Sequence, residues 1–237
     1  ASDAAEALLA RGAAHVLVTN GGQDCAEGLQ HSGVITASPP PVMVARITGA
    51  GATQFFDWVK DRSHLFRGVT YGTILRGEAF NFSRLGTHLE RADNTARILD
   101  ARFEFLAPEA AKSDDAGDYY EWSALLRSVS AFEIYRKVYR DLITPRRVAE
   151  LLILREAMPR SLRHCMSRVQ QTLVRVANSR SAETQRRAGE IHATLQYGRI
   201  EDALEEGLRN YLSGFLERTS DLGARIARDF LVSAATA

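Results

Sequence analysis

Between Phe80 and Phe103 the chain runs Phe80-Asn-Phe-Ser-Arg-Leu-Gly-Thr-His-Leu-Glu-Arg-Ala-Asp-Asn-Thr-Ala-Arg-Ile-Leu-Asp-Ala-Arg-Phe103, without a proline. Phe82, Leu85, Leu89, Ala92, Ala96, Leu99 and Phe103 recur every three or four residues, the period of one helix face. A face that long and apolar has to be buried against other helices or a sheet. The other side carries Arg84, His88, Glu90, Arg91, Asp93, Asn94 and Arg97, a high density of pairable polar groups for one helix.

The sequence around this helix changes character near residue 54. Before it, strand signals alternate with helix: Ala14–Thr19 closed by Asn20-Gly21-Gly22, Gly33–Ala37, and Pro39–Ala45 leading to Thr48-Gly49-Ala50-Gly51. After it, helical periodicity takes over, with candidates at 54–62, 64–76, 78–106, 118–140, 145–156, 160–178, 181–195 and 200–232. Thr144-Pro145 pairs an N-cap with a proline at the first helical position. The expected architecture is mainly α: a short α/β fragment over 1–54, then a body of about seven helices over 55–237.

Leu89-Glu90-Arg91 leading to Arg102-Phe103 has a partial echo in Leu216-Glu217-Arg218 leading to Asp229-Phe230. Both segments hold Ala-Arg-Ile, offset by one residue. A duplicated helix and a chance likeness between Leu-, Ala- and Arg-rich helices both fit this echo.

Bulk chemistry narrows the functional classes. Thirty basic against 29 acidic residues leave a formal net charge of +1, so nothing asks for nucleic acid or an anionic membrane. Cys25 and Cys165 stand far apart, outside any metal-ligand or disulfide spacing, which fits a reducing cytoplasm. Neither a membrane span nor a signal peptide is read, and Ala1 in place of an initiator Met suggests processing or excision from a longer chain. A di-iron bundle needs Glu-x-x-His on two helices, and the nearest approach, Glu190-Ile191-His192, has the wrong spacing. Cys165 beside His164 has no orienting partner for nucleophilic catalysis. No cofactor or metal is expected.

The pattern centred on Leu89-Glu90-Arg91-Ala92-Asp93 resembles the bacterial alpha-E domain family, all-helical proteins marked by a Glu-Arg pair. The likeness extends over about 55–230 and includes Trp58–Gly68, Tyr119-Tyr-Glu-Trp122, Leu125–Phe132, Thr144–Leu152 and Pro159–Cys165. It implies an accessory or binding protein acting with an ATP-grasp peptide ligase or a transglutaminase-like protein. On that reading Arg84, His88, Glu90, Arg91, Asp93, Asn94 and Arg97 are the ligand- or partner-binding candidates. Three roles stay open for the row Arg84, His88, Arg91: a buried polar network closed by Glu121, Glu133 or Glu150, a pocket for an anionic or peptide ligand, or plain solvated surface.

Residues 4–53 resemble the late part of ribokinase-like sugar kinases. The likeness rests on Ala10–Gly21, Pro40-Pro41-Val42 and Thr48-Gly49-Ala50-Gly51. There the Gly-rich turn neutralises a transferring phosphate and the Asp that follows is the base. Ala52 occupies that base position and Arg46 stands where an acidic residue is usual, so the turn is read as an anion-binding candidate without a catalytic carboxylate. An inactive phosphotransferase and a fusion product without intact function are the alternatives to the accessory protein.

Overall fold

The computed structural model describes residues 51–103 and 119–231, and the chain divides into two units at the Ile74–Leu75 bond. The strands expected before residue 46, and Thr48, Gly49 and Ala50 of the candidate anion turn, lie outside the described residues. Gly51 is the first residue of helix α1 (Gly51–Thr73).

The two short helices expected at 54–62 and 64–76 are one. Ser63, between the two expected spans, lies inside the helix, where Arg67 donates to its hydroxyl (3.2 Å) and to its carbonyl (3.4 Å). Thr73 closes the helix by donating to the Val69 carbonyl at 2.8 Å.

In the second unit, α2 (Glu78–Phe103) follows the expected stripe, with Phe80, Leu85, Ala92, Ala96, Leu99 and Phe103 buried and Phe82 and Leu89 packed at the margin. Next come α3 (Tyr119–Ser128), α4 (Phe132–Tyr139), α5 (Pro145–Leu154), α6 (Leu162–Arg175), α7 (Ala182–Tyr197), α8 (Ile200–Glu206), α9 (Leu208–Ile226) and a π-helical turn over Ala227–Leu231. Among the described residues the chain thus has nine α-helices and no strand, against about seven helices expected.

Two breaks that periodicity does not show account for part of the difference. The helix expected at 118–140 stops at Ser128 and restarts at Phe132, because Ser130 takes a left-handed φ of 55°. The helix expected at 200–232 breaks at Gly207, with φ 89° and ψ 116°. A Cβ at Gly207 would meet only the Asn210 amide, at 3.7 Å, so backbone conformation rather than space selects glycine. Gly207→Ala is therefore expected to lower stability by about 1–2 kcal/mol, read as a urea midpoint shift with an unchanged slope.

Helices α2, α6, α7 and α9 form a four-helix ring in which each packs on two of the others. Cross-links fix its directions. Arg91 meets Pro159 and His88 meets His164, so α2 and α6 run antiparallel. Phe82 lies 5.5 Å from Phe230 and Arg209 reaches Asp100, so α2 and α9 are antiparallel too. Helices α3, α4, α5 and α8 gather at the end where α2 finishes and α6 begins. There Trp122 packs at 5.1 Å on Phe103, Arg102 pairs with Glu121 at 2.5 Å, and Arg146 pairs with Glu201. Thr144 caps α5 as the sequence indicates, accepting from the Arg147 N–H.

At the opposite end the π turn points Asp229 inward. Its carboxylate accepts from Thr184 at 2.5 Å and its carbonyl from Asn178 at 3.1 Å. The helix expected to run to 232 is wound wider there, which aims this residue at the start of α7.

Candidate functional site on helix α2

The seven polar residues singled out on α2 separate into two groups. Glu90 and Asn94 face solvent, and Asp93 accepts two hydrogen bonds from Arg97, at 2.8 and 3.1 Å, on the outer surface. Arg84, His88 and Arg91, spaced by four and three residues, lie along the seam with α6. His88, on the polar side of the helix, is only 6% exposed. Thr95, one turn further on, is buried and donates to the Arg91 carbonyl at 2.9 Å.

Helix α6 supplies the other wall. Ser161 caps it, accepting from the His164 N–H at 3.0 Å. The His164 ring stands 6.1 Å from that of His88, and its Nδ1 is 2.8 Å from the Glu156 carbonyl. A carbonyl can only accept, so Nδ1 of His164 carries a proton. Arg168, one turn on, donates to Gln171 at 3.2 Å.

No carboxylate closes this row. Arg91 donates to the Pro159 carbonyl at 3.3 Å, while Arg84 Nε and His88 Nδ1 are buried without a hydrogen-bond partner. Among the described residues, no hydrogen bond or ion pair joins Arg84, His88, Arg91 or Arg168 to an acidic side chain. The carboxylates considered for this role lie elsewhere. Glu121 pairs with Arg102, while Glu133 and Glu150 each line a different surface groove. Burial, then the charges of Arg91, Arg84, His164 and Arg168, push the His88 imidazolium down to about 4, so the ring is neutral at physiological pH.

A groove of about 550 Å³ lies between α5, the start of α6 and the start of α8, lined by Arg146, Glu150, Glu156, Arg163 and Glu201 among others. Its charges are largely matched: Arg163 lies 3.3 Å from Glu156 and Arg199 3.5 Å from Glu201. Cys165 is buried, and burial pushes its thiol up to about 12, so at neutral pH it is no nucleophile. Among the described residues, no three His, Cys, Asp or Glu side chains assemble as metal ligands, and no helix is long and apolar enough to cross a membrane.

Sequence reasoning found Arg84, His88 and Arg91 but missed His164 and Arg168 as their neighbours. The signal was there in their own spacing of four on a capped helix, which places both on one face of α6.

These features define an all-α body whose helical ring holds a basic seam with no acidic partner among the described residues. A model of the alpha-E family, described as a predicted alpha-helical domain with a conserved ER motif, matches residues 23–231, and the chain belongs to that family. Glu-Arg pairs stand at Glu90-Arg91 on α2 and Glu217-Arg218 on α9, two helices that pack against each other. The match begins inside the segment that resembles sugar kinases, and the kinase likeness finds no support. No curated protein and no solved structure matches the chain.

Proposed function

We propose that this chain is a non-catalytic accessory protein that docks a protein partner on the α2 surface beside α6. The observation that carries the reading is the half-open row Arg84–His88–Arg91, whose cations have no acidic side chain of their own among the described residues. A row that served only to hold helices in register would close on carboxylates, since an unpaired buried charge costs several kcal/mol. Glu90 and Asn94, exposed beside Arg91 on α2, give the docking face its rim. The partner class, an ATP-grasp peptide ligase or a transglutaminase-like protein, is what the family resemblance implies.

Affinity capture of the tagged full chain, read by mass spectrometry, tests this. A protein of one of those two classes is expected with wild type and is lost with Arg91→Ala, while the helical circular dichroism signal and Tm persist. Recovery of neither class, or equal recovery with Arg91→Ala, sinks the reading.

A further inference from the structure

We infer that Arg84, His88 and Arg91 of α2, with His164 and Arg168 of α6, form an oxyanion site that takes a carboxylate or phosphate group at the seam between the two helices. The inference rests on the docking face proposed above and names the chemistry that face recognises.

The seam contrasts with the rest of the molecule. Elsewhere many arginines meet acids, among them Arg97 with Asp93, Arg102 with Glu121, Arg163 with Glu156, Arg186 with Glu183 and Glu190, and Arg225 with Asp221, while Arg127 and Arg136 stack on Phe132. Arg84, Arg91 and Arg168 share a seam instead with two imidazoles, which share no hydrogen bond with each other.

Hydrogen-bonding capacity also goes unused at the seam. His88 Nδ1 and Arg84 Nε are both buried without partners, and His88 itself is only 6% exposed. An oxygen-rich anion satisfies several such groups at once, and a guanidinium fork suits planar carboxylate and tetrahedral phosphate alike. A metal cation is the ligand such a cluster repels.

Anion binding and protonation of His88 are linked. Neutral imidazole offers one N–H, imidazolium two. Burial, then the repulsion from Arg91, Arg84, His164 and Arg168, keeps His88 deprotonated; an anion here offsets the repulsive part, so binding draws a proton onto the ring and strengthens as pH falls from 7 toward 5.

The experiment follows the His88 ring proton by NMR across pH in the full chain, alone, with inorganic phosphate, and with glutarate. The expected result is an upward move of the His88 titration with anion. Affinity is expected to fall about tenfold in Arg84→Met or Arg168→Met and to stay at wild-type level in Arg186→Gln. A response to phosphate alone assigns the site to a phosphate group, and a response to glutarate assigns it to an acidic side chain or a chain terminus. No response to either anion at tens of millimolar overturns the inference, as does an equal response in both methionine variants. Failure here with capture still dependent on Arg91 leaves the docking face standing without its anion; binding of small anions with no partner captured does the reverse.

Discussion

Acidification from pH 7 to pH 5 is expected to remove about 2 kcal/mol of stability from the wild-type chain, and much less from His88→Gln. The free imidazole titrates near 6.5; in the fold, burial and the surrounding Arg91, Arg84, His164 and Arg168 hold His88 down to about 4. Between those values the unfolded chain binds a proton that the folded chain refuses, so protons pull the equilibrium toward unfolding. The contribution is intact above about pH 6.5 and lost as pH falls through about 4, approaching about 3 kcal/mol in all.

His192, also lowered by burial, acts in the same direction. Carboxylates act later: Glu183, held to about 2 by Arg186 and Arg187, loses its contribution only below its usual value near 4.5. The loss between pH 6.5 and 5 therefore reports the imidazoles. Urea midpoints at pH 7, 6 and 5 measure it, and the same slope in wild type and His88→Gln would remove His88 from the explanation.

Trp122→Ala is expected to cost about 3–5 kcal/mol, the largest single loss in the helical body. Trp122 is fully buried and fills the end of the ring, against the Phe103 ring at 5.1 Å, with the Arg102 guanidinium 4.7 Å from its own ring centre. It is the point at which α3 holds the end of α2. The change to alanine removes the ring volume and the surface on which Arg102 stacks. Its indole N–H is buried without a partner, so Trp122→Phe gives up some volume and stacking but also removes an unsatisfied donor. That variant should cost about 1 kcal/mol. Thermal unfolding separates the two, and equal losses would place the cost in the indole N–H rather than in packing.

Helix α2 was legible because its apolar period is long and uninterrupted, and α5 because Thr144-Pro145 is a local start signal that needs no tertiary partner. The break at Ser130 was not. A serine in a left-handed conformation carries no glycine-like mark, and the turn is held by the Ala131 N–H donating to Leu126 at 2.7 Å. Gly207 did mark its break, but a glycine inside a helical pattern also reads as a tolerated interior residue.

The site was half legible for a related reason. Periodicity put Arg84, His88 and Arg91 on the polar side of α2, yet whether that side meets water or another helix depends on α6, which begins nearly sixty residues after α2 ends. The same dependence removed Glu121, Glu133 and Glu150 as partners: each is a sound candidate by charge, and the chain path carries none of them to the seam.

The central claim is that the α2–α6 seam is a binding site held at a cost in stability rather than a fastening of the bundle. Urea unfolding of Arg84→Met tests it most directly. Methionine keeps the packed stem while removing one cation from a cluster of like charges and one buried donor without a partner. The account predicts a variant at least as stable as wild type, with the His88 titration moved upward. A clear loss of stability with that titration unmoved would contradict it and make the row a structural network.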